Sequence, residues 1–114
     1  MNKRIAYSEQ VDNSTTITTA TAVCMAAKDL SALTAFALTV YNAGAAALNA
    51  FALEVSPDTS AEAHYVTVDN STLASLTAGA AGRISVTVNV GKHYRAYGSV
   101  ASGTTTLDIW VTGG

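Results

Sequence analysis

Twice between residues 36 and 55 large apolar side chains alternate with small or polar ones. Phe36, Leu38 and Val40 come first and, past a link at residues 42–47, Phe51, Leu53 and Val55 follow. Period two is the repeat of a strand that has one face in a core and the other toward solvent. Helix is the competing reading, because Ala and Leu are strong helix formers and Leu30, Leu33, Ala37, Val40 and Tyr41 also fit helical spacing. Three features oppose it: the β-branched and aromatic residues in the stretch, Gly44 in its middle, and the return of the same alternation further along the chain.

Taken in order, residues 1–14 form a polar N-terminal arm with at most a short strand around residues 5–7. The β-branched run at residues 15–25 reads as the first main strand, followed by residues 35–41 and 48–56. Pro57-Asp58-Thr59-Ser60 makes a turn, and a strand over residues 63–68 follows. Leu73 and Leu76, three apart, suit one helical turn closing the end of the core, and residues 78–82 read as a flexible connection. Ile84, Val86, Val88 and Val90 alternate with Arg83, Ser85, Thr87 and Asn89, a strand with polar residues outside. Gly91-Lys92 signals a tight hairpin into a strand over residues 94–101, and Ser102-Gly103 turns the chain into the Leu107, Ile109, Val111 alternation. The arm occupies residues 1–14 and a single domain residues 15–114. Seven strands with short connections predict an all-β, immunoglobulin-like antiparallel β-sandwich with an extended N-terminal arm, and a closed barrel or jelly roll is the alternative.

Charged residues make up 12% of the chain, about half the usual ~25%, so much of the surface must be small, weakly polar side chains. This predicts a surface partly covered by protein partners, in a homo-oligomer or a larger assembly. A net charge of −2 lacks the clustered cations that nucleic-acid phosphates require. Lys3 and Arg4 precede no apolar run, which is not the pattern of a secretory signal, and Lys28-Asp29 cut the longest apolar stretch far short of a membrane span. Synthesis in a reducing cytoplasm is the expectation. The lone Cys24 then reads as a small buried hydrophobe.

Reactive constellations would leave clear marks. His64 and His93 accompany no nucleophile elbow or Cys/His signature, and Asp58, Glu62 and Asp69 are spread over loops as solvated charge. Cys24, His64 and His93 lack metal-ligand spacing, and the glycines of residues 79–82 lack a phosphate-loop pattern. The expectation is a non-enzymatic protein with no cofactor and no metal. The distinctive chemistry is an outward set: with Tyr94, Ala96, Gly98, Val100, Leu107, Ile109 and Val111 inside, Arg95 and Tyr97 face out beside Asp108 and Trp110, with Ala50, Ala52 and Glu54 completing the sheet. Exposed Trp, Tyr and Arg are enriched at interface centres, so Arg95, Tyr97, Asp108, Trp110 and Glu54 are the predicted contact residues; the alternative is a shifted strand, or one covered by the N-terminal arm, in which Trp110 belongs to the core. A second face, with Ala35, Ala37, Thr39, Arg83, Ser85, Thr87 and Asn89, offers small side chains for flat contact.

Three segments carry a resemblance: Leu38-Thr39-Val40-Tyr41-Asn42-Ala43-Gly44, Leu73-Ala74-Ser75-Leu76-Thr77-Ala78-Gly79, and His93-Tyr94-Arg95-Ala96-Tyr97. Together they resemble small Ig-like modules of the bacterial adhesion-related type, in which a strand ends Val-x-Asn-x-Gly, a Leu-x-x-Gly turn introduces a long strand and a Tyr opens the next. They also resemble the small Ala/Thr-rich sandwich proteins of tailed-phage virions. The resemblance covers residues 15–111. It implies a virion structural protein made in the host cytoplasm, of the capsid decoration or cement type, with the major capsid protein or other virion proteins as partners. A minor tail or fibre component, or a carbohydrate-binding module taking a glycan, is the alternative it implies.

Overall fold

The computed structural model describes residues 7–57, 64–89 and 91–114. Among them are eight strands and no α-helix: β1 (Tyr7–Ile17), β2 (Ala22–Asp29), β3 (Phe36–Asn42), β4 (Leu48–Ser56), β5 (Val66–Asp69), β6 (Ala81–Val86), β7 (His93–Val100) and β8 (Thr105–Gly113). They form two four-stranded sheets, β1-β8-β3-β6 and β2-β7-β4-β5. The core lies between the sheets, where Leu38, Val40, Leu53, Ala96, Leu107, Ile109 and Val111 have no exposed surface. Burying each of the larger of these side chains contributes about 1.5–3 kcal/mol. Phe36 of one sheet meets Tyr94 of the other edge to face, centroids 4.8 Å apart.

The pairing has a simple rule. β1 pairs with β8, β2 with β7, β3 with β6 and β4 with β5, all antiparallel. This is a long hairpin rolled up into two layers, the arrangement of a jelly roll, and not the two sheets of an immunoglobulin domain. Among the described strands only β4 and β5 are consecutive within one sheet; each other successive pair lies in different sheets. The all-β sandwich expected from the alternation is therefore present, but the expected count of seven strands is exceeded, with eight already among the described residues.

Several boundaries shift for physical reasons. The uniform β-branched run at residues 15–25 is two strands in different sheets, broken where the Ala20 amide donates to the Thr18 hydroxyl at 3.3 Å. The arm expected over residues 1–14 lies outside the described residues up to residue 6, and from Tyr7 onward it belongs to β1, paired with β8. β6 stops at Val86 and leaves Val88 71% exposed, so the alternation in residues 84–90 overstates the strand; Val90 lies outside the described residues. The strand expected over residues 63–68 is β5, which begins at Val66; residue 63 is outside the described residues, as are residues 58–60 of the expected turn. Residues 71–76 make two consecutive turns, Ala74 amide to Ser71 carbonyl and Leu76 amide to Leu73 carbonyl, in place of the expected helical turn, and Leu73 still plugs the core. Neither Gly91-Lys92 nor Ser102-Gly103 closes a hairpin, because the strands on either side belong to different sheets.

Two asparagines hold the ends of the sandwich. At one end Asn42, fully buried, donates to the Ala46 and Leu76 carbonyls at 2.9 and 3.1 Å and accepts from the Gly44 amide and the Thr105 hydroxyl. At the other end Asn89 donates to the Leu30 and Leu33 carbonyls at 2.9 and 2.8 Å and accepts from the Gly91 amide and the Tyr94 hydroxyl. Each uses its full amide to satisfy crossover-loop groups that no ladder reaches. Asn89, expected on an outer face, is thus turned into the structure.

Candidate functional site

The outer faces of the two sheets are chemically different. On the β1-β8-β3-β6 face the cross-strand registers place Gln10, Trp110, Thr39 and Arg83 in one row. Ser8, Thr112, Ala37 and Ser85 form the next, and Asp108, Tyr41 and Ala81 lie on the other side of the Trp110 row. Alternation in β8 explains why Trp110 is outside: Leu107, Ile109 and Val111 take the core positions, leaving the indole 42% exposed. Tyr41 is likewise 43% exposed. Beside this centre an open, shallow groove of about 570 Å³ is lined by Ala37, Arg83, Ser85, Thr112 and the Gly113-Gly114 end of the chain.

On the β2-β7-β4-β5 face the central feature is an ion pair. Arg95 of β7 lies opposite Glu54 of β4 in register, and its Nε–H donates to Glu54 Oε1 at 2.8 Å. The guanidinium stacks over the Tyr65 ring at 3.8 Å and the Tyr97 ring at 4.7 Å. Arg95 is only 8% exposed although it points away from the core, because Tyr65, which precedes β5, folds over it. The Tyr65 hydroxyl is buried and has no hydrogen-bond partner among the described residues. Val23, 45% exposed, shares a row with Tyr97 and Ala52.

The five predicted contact residues are therefore split. Glu54, Arg95 and Tyr97 share one outer face; Asp108 and Trp110 are on the opposite one, because β7 and β8 belong to different sheets. Arg95 is committed to Glu54 and two tyrosines and does not present its charge to a partner, whereas Trp110 does project into solvent. The small-residue set Ala37, Thr39, Arg83 and Ser85 joins Trp110 on a single surface.

The candidate chemical groups are apart from one another in role. Cys24 is buried and in no disulfide, His64 is exposed just before β5, and His93 opens β7 opposite Asp29 and Ser56. Among the described residues no group of three His, Cys, Asp or Glu side chains is placed to hold a metal ion. No described helix is long and apolar enough to cross a membrane. The sequence reading missed Tyr65 as a cover for Arg95, and it missed the role of both asparagines. Their shared Asn-x-Gly spelling, residues 42–44 and 89–91, is the signal that could have found them, since in each the Gly amide donates to the Asn side chain.

Comparison with protein-family models, curated proteins and solved structures finds no match to this chain.

Proposed function

We propose that this protein is a non-enzymatic structural component of a phage particle, a decoration or cement protein that docks on the head shell and contacts the major capsid protein. The observation that carries the reading is the β1-β8-β3-β6 outer face, where Trp110 and Tyr41 are both exposed on a sheet whose other outward residues are polar or small. A large rigid aromatic with Gln10 and Thr39 beside it, and with Tyr41, Asp108 and Arg83 on the same face, gives one apolar anchor inside a polar surround, the distribution of contact energy found at protein interfaces. Many copies, each making a modest contact, would bind a shell of repeating subunits strongly in total. Jelly rolls serve in viral capsids, an analogy of fold that adds support without assigning a role.

The test is copurification: the chain should be present in stoichiometric amount on intact particles. Trp110→Ala should release it from them while the isolated variant keeps its far-UV circular dichroism and unfolds within about 1 kcal/mol of the parent. A chain absent from particles, or one retained without the indole, refutes the reading.

A glycan-binding module is the second reading, favoured by the groove next to Trp110 with Arg83 at its rim. Indoles stack on sugar rings, and lectin domains also use the jelly roll. A glycan array and a titration of Trp110 fluorescence separate the two, since a shell-docking protein leaves both silent.

A further inference from the structure

The four edge strands of this sandwich are not equivalent. On one flank, β1 is interrupted by register shifts at Gln10/Asp12 and Asp12/Thr15, and β2 by shifts at Val23/Met25 and Met25/Lys28. A Lys28–Glu9 ion pair of 3.1 Å ties the two together across the sheets. Bulges and charges are the usual protection of an edge against pairing with another chain. On the other flank, β5 is four residues long with a shift at Leu53/Glu54. Among the described residues β6 has no such protection: its six residues pair with β3 in unbroken register, without proline, and Arg83 is its single charge.

The direction of the open groups follows from the ladder. The Asn42 amide donates to the Ala80 carbonyl, which fixes the phase of the β3–β6 hydrogen bonds. Gly82, Ile84 and Val86 therefore face β3 with their backbone groups, and the N–H and C=O of Ala81, Arg83 and Ser85 face outward. Of the six large apolar side chains exposed among the described residues, Val66 and Val68 are on β5, the edge strand of the other sheet, and Val88 lies two residues beyond β6.

We propose that β6 is the interface of a symmetric homodimer, pairing antiparallel with β6 of a second copy to make one continuous eight-stranded sheet. A two-fold pairing that uses the outward groups must centre on a residue of β6, with Arg83 and Ile84 nearest the middle of the strand. Centring on Arg83 would set two guanidinium groups opposite each other, which is destabilising. Centring on Ile84 sets each Arg83 opposite Ser85 of the mate and the two Ile84 side chains opposite each other, so charge selects that register. A six-residue strand is about 20 Å long and the molecule is 21 Å through its thin dimension, giving about 400 Å² of flank per copy at the strand. This is about half the ~800 Å² per partner of a standard interface, so the dimer dissociates on dilution.

The experiment is sedimentation equilibrium on the purified chain from about 1 µM to about 1 mM, the range of weak association. The parent should show a reversible monomer–dimer equilibrium. Ser85→Lys, which opposes Arg83 of the mate with a like charge, should weaken it about tenfold or more, and the double variant Arg83→Glu/Ser85→Lys should restore it. Both positions are exposed, so unchanged thermal midpoints certify that the variants are folded. A monomer throughout the range overturns the proposal, and so does a dimer indifferent to Ser85→Lys. Because no particle is involved, the result stands apart from the virion reading: either can fail without the other.

Discussion

Asn42 offers the sharpest test of how this fold is held at its ends. Replacing it with Ala removes its bonds to the Ala46 and Leu76 carbonyls, the Gly44 amide and the Thr105 hydroxyl, although the Leu76 carbonyl keeps the Leu48 amide as a donor. At about 1 kcal/mol of net stability per lost bond, the four amount to about 4 kcal/mol, a large part of the 5–15 kcal/mol typical of a domain. For a chain of this size the thermal midpoint should fall by about 15 °C. Asn42→Asp keeps the shape but aims a carboxylate oxygen at two carbonyl oxygens, so burial and repulsion raise its folded pKa above the unfolded value near ~3.9. The folded state then binds the proton more tightly than the unfolded chain, and stability falls as pH rises from about 4 toward the folded pKa. Urea unfolding followed by far-UV circular dichroism at pH 4 and pH 7, with the parent subtracted at each pH, should show Asn42→Asp closer to the parent at pH 4. Equal losses at the two pH values, or an Asn42→Ala loss below about 1 kcal/mol, would refute the account.

Other expectations follow from the same contacts. Glu54→Ala removes the carboxylate that accepts the Nε–H of the buried Arg95 guanidinium and should lower stability by about 3 kcal/mol, while Glu54→Gln, which can still accept the Nε–H, should cost about half as much; urea midpoints decide. Gly44→Ala would place a Cβ 2.6 Å from the Thr106 amide nitrogen and against Thr105, so it should destabilise by roughly 3 kcal/mol, whereas Gly79→Ala meets open space and carries only the strain of φ 78°, about 1 kcal/mol; thermal melts of the pair should separate crowding from backbone strain. Burial pushes the Asp69 carboxyl up, but hydrogen bonds from the Thr72 hydroxyl and the Thr72 and Ser71 amides outweigh it and hold the pKa below the usual carboxylate value. A depressed folded pKa gives stability that is present above about pH 4 and lost on acidification, so Asp69→Asn should flatten the acid limb of the stability–pH curve.

The strands and their inward faces were legible because a period-two pattern is local. Phe36, Leu38, Val40, Phe51, Leu53, Leu107, Ile109 and Val111 are all buried where alternation puts them. Trp110 could be read as outward for the same reason. Local pattern says nothing of which strand lies alongside which, and there the reading went astray: Gly91-Lys92 and Ser102-Gly103 look like hairpin turns, yet each carries the chain between sheets. Val88 has the right residue type and spacing for a core strand, and is exposed because β6 ends two residues before it.

By itself the sequence determined an all-β fold and its inward side chains, since alternation is settled residue by residue along the chain. Only the tertiary structure decided that strand n meets strand 9−n, that Arg95 is sealed beneath Tyr65, and that Trp110 belongs with Thr39 and Arg83 and not with Tyr97. The reason is that a jelly roll pairs strands as far apart as residues 7 and 113, and no property of either segment names its partner. That choice is made by the joint packing of both sheets around one core.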